Sequence, residues 1–213
     1  MGKIYLLGGE NVSLRSAKEV NEQAFEAAGG KPEVLVFPWA KPSFDKMYQK
    51  RKLLNDYLRS LGAVHVDFVD YSESKEAIES KMTGSNIVYL TGGQPSILIE
   101  RLQKIGVDQL LKKYQGVIIG RSAGALAVCR RCVSTCRINK NVRIVEGVGL
   151  VDITLKAHYI STDDDILKKF SLKEDIFAVP AMSALIYDNS KLSAIGEVYV
   201  FHNGERIKFE NYE

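Results

Sequence analysis

Residues 116–126 read Gly116-Val117-Ile118-Ile119-Gly120-Arg121-Ser122-Ala123-Gly124-Ala125-Leu126. An apolar strand runs into Gly-x-Ser-x-Gly, and a run of small residues follows that suits the start of a helix. This is the sequence form of a nucleophile elbow, in which a serine sits on a sharp strand-to-helix turn. The turn forces the serine backbone into a strained conformation, so its neighbours must be small. Gly120 and Gly124 supply the space, and Ala123 and Ala125 keep the helix start slim. Backbone N–H groups and the helix dipole at such a turn favour a developing oxyanion. The plainer reading is a tight turn in which Ser122 only caps the helix.

Outward from this turn, short apolar strands alternate with helices. Strand patterns fall at 3–8, 33–37, 64–69, 86–90 and 117–119, and helical patterns at 16–28, 43–61, 73–82, 95–104 and 107–114. Such alternation predicts a mostly parallel sheet flanked by helices, an α/β fold whose active site lies at the carboxyl ends of the strands. Gly92-Gly93 and Ser122 both fall at such ends. After about residue 133 the pattern changes. Short β candidates at 142–145, 155–160, 176–179, 184–187 and 198–201 are broken by one helix at 163–170, and Asn203-Gly204 is a two-residue hairpin turn. With no linker composition between the two parts, residues 1–213 are expected to form a single domain with a β-rich C-terminal extension.

The chain has 213 residues, 46% of them hydrophobic, enough for a sizeable core. A net charge of +3 is too mild to imply a nucleic-acid partner. Basic residues gather at Lys41, Lys46, Lys50, Arg51 and Lys52, and at Arg130, Arg131, Arg137, Lys140 and Arg143. Both groups read as solvated surface. No stretch reaches the length of a membrane span, and the N-terminus lacks the form of a signal peptide, so the expected location is cytoplasmic with no membrane partner. Cys129, Cys132 and Cys136 crowd into eight residues. An odd count argues against a disulfide framework, and no histidine lies near enough in sequence to complete a zinc site. Cys129 is expected to pack along the helix after Ser122. No metal or organic cofactor is implied.

A serine hydroxyl needs an adjacent base, usually histidine. The chain offers three. His65 lies within a strand pattern before the elbow and reads as structural. His202 sits beside the Asn-Gly turn and reads as exposed. His158 ends an apolar segment downstream of the serine and is the favoured base. Acyl transfer also needs two oxyanion donors. The Ala123 amide would be one, and the second would come from Gly92-Gly93, where missing side chains let backbone approach a substrate.

Four segments then carry a resemblance: Tyr89-Leu90-Thr91-Gly92-Gly93-Gln94, Gly120-Arg121-Ser122-Ala123-Gly124-Ala125, Gly147-Val148-Gly149-Leu150 and His158-Tyr159. In order and spacing they resemble peptidase family S51, the dipeptidase E and cyanophycinase group, over nearly the whole chain. The resemblance implies a fold like that of class I glutamine amidotransferases (flavodoxin-like), with serine in place of their cysteine. It implies Ser122 as nucleophile, His158 as base, and Gly93 with Ala123 as the oxyanion hole. Family members remove amino-terminal aspartate from dipeptides or cut an aspartyl-arginine storage polymer. The implied partner is a small peptide, and a homodimer is compatible with this reading.

One position departs from the family pattern. Dipeptidase E-like members carry a histidine-orienting carboxylate in a Pro-Glu-Gly segment, and Ala181 of Val179-Pro180-Ala181-Met182 stands in its place. In a well-studied serine protease, neutralising that acid lowers turnover about 10⁴-fold, or ~5.5 kcal/mol. By sequence position Glu146, Asp152, Asp163, Asp164, Asp165, Asp188 or Ser183 could substitute. The Asp163–Asp165 run also reads as a helix start stabilised by negative charge. For an aspartyl side chain Arg121, Arg137 and Arg143 are candidates, although adjacent side chains at an elbow tend to point apart. The expected function is a serine hydrolase of short peptides or isopeptides. The alternative is a catalytically weakened relative that binds or regulates. An α/β-hydrolase esterase, with Asp152 preceding His158, fits less well because five strand-helix units precede the serine.

Overall fold

The computed structural model describes residues 2–41, 48–135 and 142–210. In chain order the elements are β1 (Ile4–Leu7), α1 (Lys18–Ala27), β2 (Glu33–Phe37), α2 (Tyr48–Ser60), β3 (His65–Phe68), α3 (Lys75–Thr83), β4 (Ile87–Leu90), α4 (Pro95–Ile105), α5 (Val107–Lys113), β5 (Val117–Arg121) and α6 (Ala123–Val128). There follow β6 (Cys129–Thr135), β7 (Val142–Glu146), β8 (Val151–Ala157), α7 (Asp164–Phe170), β9 (Ile176–Val179), β10 (Ala184–Asp188), β11 (Lys191–Ile195), β12 (Tyr199–His202) and β13 (Glu205–Lys208). The helical pattern at 43–61 is found from Tyr48 onward, and its first residues lie outside those described.

Two sheets result. The larger has seven strands in the order β11-β10-β1-β5-β4-β2-β3. Its five strands from β1 to β3 run parallel, as the strand-helix alternation predicts. The four from β1 to β2 are buried, β3 is a partly exposed edge strand, and residues along β1 alternate between two apolar layers. Tyr5 and Leu7 pack with Val20, Phe25, Tyr57 and Leu58 of α1 and α2. Ile4 and Leu6 pack with Leu98, Leu111 and Ala125 of α4, α5 and α6. Strands that satisfy both faces this way read as near-continuous hydrophobic runs.

The β-rich extension divides between the two sheets. β10 pairs antiparallel with β1, and β11 with β10, so this hairpin widens the first sheet. The rest form a second sheet of six strands, β13-β12-β9-β8-β6-β7. Here β8 is parallel to both β6 and β9. Asn203 and Gly204 both take positive φ, 49° and 82°, and close the β12–β13 hairpin.

Cys129 packs against the helix after Ser122, its Sγ donating to Ala125 O at 3.2 Å, but is not part of it. Helix α6 ends at Val128, and Cys129 begins strand β6. All six residues of α6 are buried. A fully apolar run carries no helical periodicity, so its switch from helix to strand leaves no mark in the pattern. Strand β8 likewise starts at Val151, before its expected first residue, and stops at Ala157, just ahead of His158. Lys191–Ile195 and Cys129–Thr135 are strands that the pattern does not announce. Among the described residues no helix is long and apolar enough to cross a membrane.

The elbow makes a stability prediction. A Cβ on Gly124 would lie 2.3 Å from the Leu90 carbonyl oxygen. That neighbour is backbone within the sheet and cannot rotate away. Gly124→Ala is expected to cost about 1–3 kcal/mol, measured by urea unfolding, through overpacking.

Candidate active site

Ser122 follows the last residue of β5 and takes φ 53° and ψ −107°. Such a sparsely populated conformation costs about 1–3 kcal/mol and persists only when its surroundings hold it. Several contacts do so. The Ser122 amide donates to Leu7 O at 2.9 Å, and Ser122 O accepts from the Leu126 amide at 3.0 Å. A Cβ on Gly120 would lie 2.7 Å from the Ala125 nitrogen, so that glycine lets α6 fold back against the strand.

His158 lies at the end of β8, also with positive φ, 52°. Its amide donates to Gly8 O at 2.9 Å, which ties it to the end of β1. Across this junction His158 Nε2 stands 2.8 Å from Ser122 Oγ. The two candidate side chains, 36 positions apart in sequence, therefore meet in hydrogen-bond contact. Gly9 makes room for the ring: a Cβ there would lie 2.2 Å from Cε1 and 2.4 Å from Nδ1. Sequence reasoning missed this residue, although Gly8-Gly9 at a strand end was a visible signal. His65 is exposed on β3 at the sheet edge, and His202 pairs with Asp175 at 2.6 Å on the hairpin.

The Gly92-Gly93 pair divides its work. A Cβ on Gly92 would sit 3.4 Å from Ser122 Cβ and from Arg121 Nε. One on Gly93 would lie 2.2 Å from Ala40 O. Gly92 thus borders the serine, while Gly93 lets its loop pack against Ala40. The Gln94 amide donates to the same carbonyl at 2.6 Å. Ala123 is the first residue of α6, immediately after Ser122.

A cleft of about 390 Å³ adjoins the serine along Thr91, Gly92 and Arg121. Among the described residues its charged lining is Lys41, Lys50, Arg51 and Arg121 against the carboxylate Glu10. Part of the first basic cluster thus lines this cleft, with Lys50 still exposed. These residues stand at or near the carboxyl ends of β1, β2 and β5, or on the first turn of α2, and a linear pattern does not show that they share one cavity. Arg121 and Ser122 both border Gly92, and the Arg121 guanidinium lies 5.9 Å from the Tyr89 ring centroid. Arg143 is exposed on β7, at the far edge of the second sheet. Lys46, Cys136, Arg137 and Lys140 lie outside the described residues. Beneath the cleft Glu10 accepts from Asn21 Nδ2 at 3.2 Å and from the Tyr89 hydroxyl at 3.4 Å. Burial, reinforced by Glu10, pushes the Tyr57 and Tyr89 phenols well above their ordinary range, so both remain protonated donors.

Ala181 lies in the turn between β9 and β10, and that turn abuts the histidine junction. The Met182 amide donates to Gly9 O at 2.9 Å, and the Gly8 amide to Ser183 O at 3.0 Å. A methyl group at this place offers no hydrogen bond. Most carboxylates considered as substitutes have partners of their own. Glu146 meets Arg131 at 2.7 Å and Asp152 meets Arg130 at 2.6 Å. Asp163 meets Lys156 at 3.1 Å, and Asp188 meets Lys3 at 3.1 Å. Asp164 accepts from the Tyr159 hydroxyl at 2.6 Å, and exposed Asp165 lies in the first turn of α7. The Ser183 hydroxyl lies against Gly196.

Burial raises the Cys129 thiol pKa well above its ordinary value and pushes that of Cys132 up to about 12. Neither is a ready nucleophile. Among the described residues no group of three or more His, Cys, Asp or Glu side chains could hold a metal ion.

Known proteins resemble this chain in sequence and in fold. A curated relative from Listeria monocytogenes serovar 1/2a (strain ATCC BAA-679 / EGD-e), described as "Uncharacterized peptidase Lmo0363", is 26% identical over 141 residues, covering 60% of this chain and 69% of the relative. The crystal structure of a peptidase from an acI-B1 Actinobacterium superposes with a TM-score of 0.77 at 17% identity, covering 100% of this chain and 96% of the other. A putative peptidase E protein from Listeria monocytogenes EGD-e superposes with a TM-score of 0.68 at 20% identity, covering 92% and 98%. These likenesses show the flavodoxin-like fold. The sequence model of peptidase family S51 matches residues 4–195, from the first strand of the sheet to the last residue of β11, and on that match the chain belongs to peptidase family S51.

Proposed function

We propose that the protein is a serine peptidase acting on short peptides or isopeptides, with Ser122 as nucleophile and His158 as general base. The observation that carries this reading is the 2.8 Å contact between His158 Nε2 and Ser122 Oγ, made across a strained elbow. In the first half-reaction Ser122 Oγ attacks the scissile carbonyl and its proton passes to His158 Nε2. The amides of Ala123 and Gly93 stabilise the resulting oxyanion. The imidazolium then gives its proton to the departing amine, leaving an acyl-enzyme. Water attacks that ester with His158 again as base, which releases the acid and restores Ser122. Residues 1–213 act as one unit, a proposal supported by the apolar cluster that continues from the first sheet through α6 into β6 and β8.

The cleft chemistry favours a substrate with an acidic side chain. Arg121, beside Gly92 and the serine, is its nearest cationic anchor, and Glu10 suits a substrate ammonium. Arg121→Ala is expected to raise KM for an aspartyl dipeptide about 10- to 100-fold, the worth of one charge-assisted hydrogen bond, with kcat little changed. An unchanged KM would move the anchor elsewhere. Ala181 favours a second reading, a family member that binds peptides but turns them over weakly. A dipeptide-library cleavage assay run beside Ser122→Ala and His158→Ala separates the two. Peptide binding without hydrolysis selects the second, and equal activity in all three proteins sinks the first.

A further inference from the structure

A buried cation sits two residues before the histidine. Lys156 is 5% exposed and stands next to last in β8, after the uncharged residues Ile153, Thr154 and Leu155. Moving an ammonium out of water is costly unless it is paired and hydrogen-bonded. Lys156 Nζ is both: it donates to Ala157 O at 3.0 Å and pairs with Asp163 Oδ2 at 3.1 Å. Packing alone would be met more cheaply by an aliphatic side chain.

The two contacts grip the chain on either side of His158. Ala157 O belongs to the peptide group whose N–H is that of His158, and that N–H donates to Gly8 O at 2.9 Å. Both ends of this peptide plane are therefore held, one by the ammonium and one by β1. Downstream, Asp163 Oδ2 also accepts from the Ile160 amide at 3.3 Å. Lys156 therefore fixes the segment entering the histidine and, through Asp163, the segment leaving it. Between them His158 keeps φ at 52°, a conformation a β-strand residue would leave if released.

We infer that Lys156 is a positioning residue: its ammonium, shared between Ala157 O and Asp163, holds His158 in the left-handed backbone that brings Nε2 to Ser122 Oγ. The inference rests on the Ser122–His158 reading above, and it adds a third group through which the imidazole is oriented.

The test uses the full-length double variant Lys156→Met/Asp163→Asn, which leaves no buried charge uncompensated. Saturation kinetics with a fluorophosphonate probe should show kinact about 10- to 100-fold lower at unchanged KI, the size of effect a 1 Å misplacement produces. A crystal structure of the variant should show the Nε2–Oγ separation beyond about 3.5 Å. Unchanged kinact together with an unchanged 2.8 Å contact would overturn the inference. Should the double variant not fold, Lys156→Gln and Lys156→Met are compared. Glutamine keeps a donor for Ala157 O and should retain more kinact than methionine, and equal losses would overturn the proposal. A wild-type protein inert to the probe would instead count against Ser122 as nucleophile, and the variant's crystal geometry would then decide the role of Lys156.

Discussion

Ser122→Ala is expected to abolish fluorophosphonate labelling and to lower peptide hydrolysis by at least about 10⁴-fold. The size follows from the division of labour at the elbow. In the proposed mechanism the oxyanion donors and the cleft survive the substitution, so substrate still binds, but no atom remains to form the acyl-enzyme. The substitution leaves the fold intact, because the contacts that hold the turn are backbone ones, from the Ser122 amide to Leu7 O and from the Leu126 amide to Ser122 O. Alanine must adopt the same strained φ of 53°, which a Cβ permits as serine's does. An unchanged circular dichroism spectrum with labelling lost is the expected pair of results. Persistent labelling of the folded variant would place the reactive group elsewhere.

The second large effect is expected at a residue with no side chain. Gly9→Ala would set a methyl carbon 2.2 Å from His158 Cε1 and 2.4 Å from Nδ1, well inside van der Waals contact. The imidazole has to yield, because Gly9 is anchored by the Met182 amide donating to its carbonyl at 2.9 Å. A ring displaced by 1 Å or more loses its alignment with Ser122 Oγ, and hydrolysis should fall by about 10²-fold or more. The test is kcat against KM. A loss confined to kcat marks a displaced base, whereas a loss confined to KM would show that Gly9 serves only substrate access. Gly9→Ala should also slow probe labelling, since that reaction uses the same base.

Much of the fold could be read in one dimension. The five parallel strands and their helices left a clear trace because four of the strands are short apolar runs closed by a turn, the composition a strand buried on both faces requires, and the edge strand β3 shows the alternation of a half-buried one. The strand β6 left none, because Cys129 continues an apolar run that begins inside α6. The hairpin of β10 and β11 was visible in part as a strand pattern, but its return to pair with β1 was not. Pairing partners far apart in sequence depend on which edge of the sheet is open, and that is a property of the assembled sheet.

The candidate site was legible to a similar degree. Local chemistry marked Ser122, since a strained strand-to-helix turn demands glycines at fixed offsets wherever it occurs, and the downstream histidine could be chosen from only three. Chain order alone could therefore name the elbow, the helix-flanked sheet and the family, because all of these follow from short-range steric rules. Folding in three dimensions was required to seat the imidazole against the hydroxyl, to press Gly9 on the ring and to turn Arg121 toward the cleft. Each of these depends on atoms from segments tens of residues apart, and no local rule couples their positions before the two sheets close on each other.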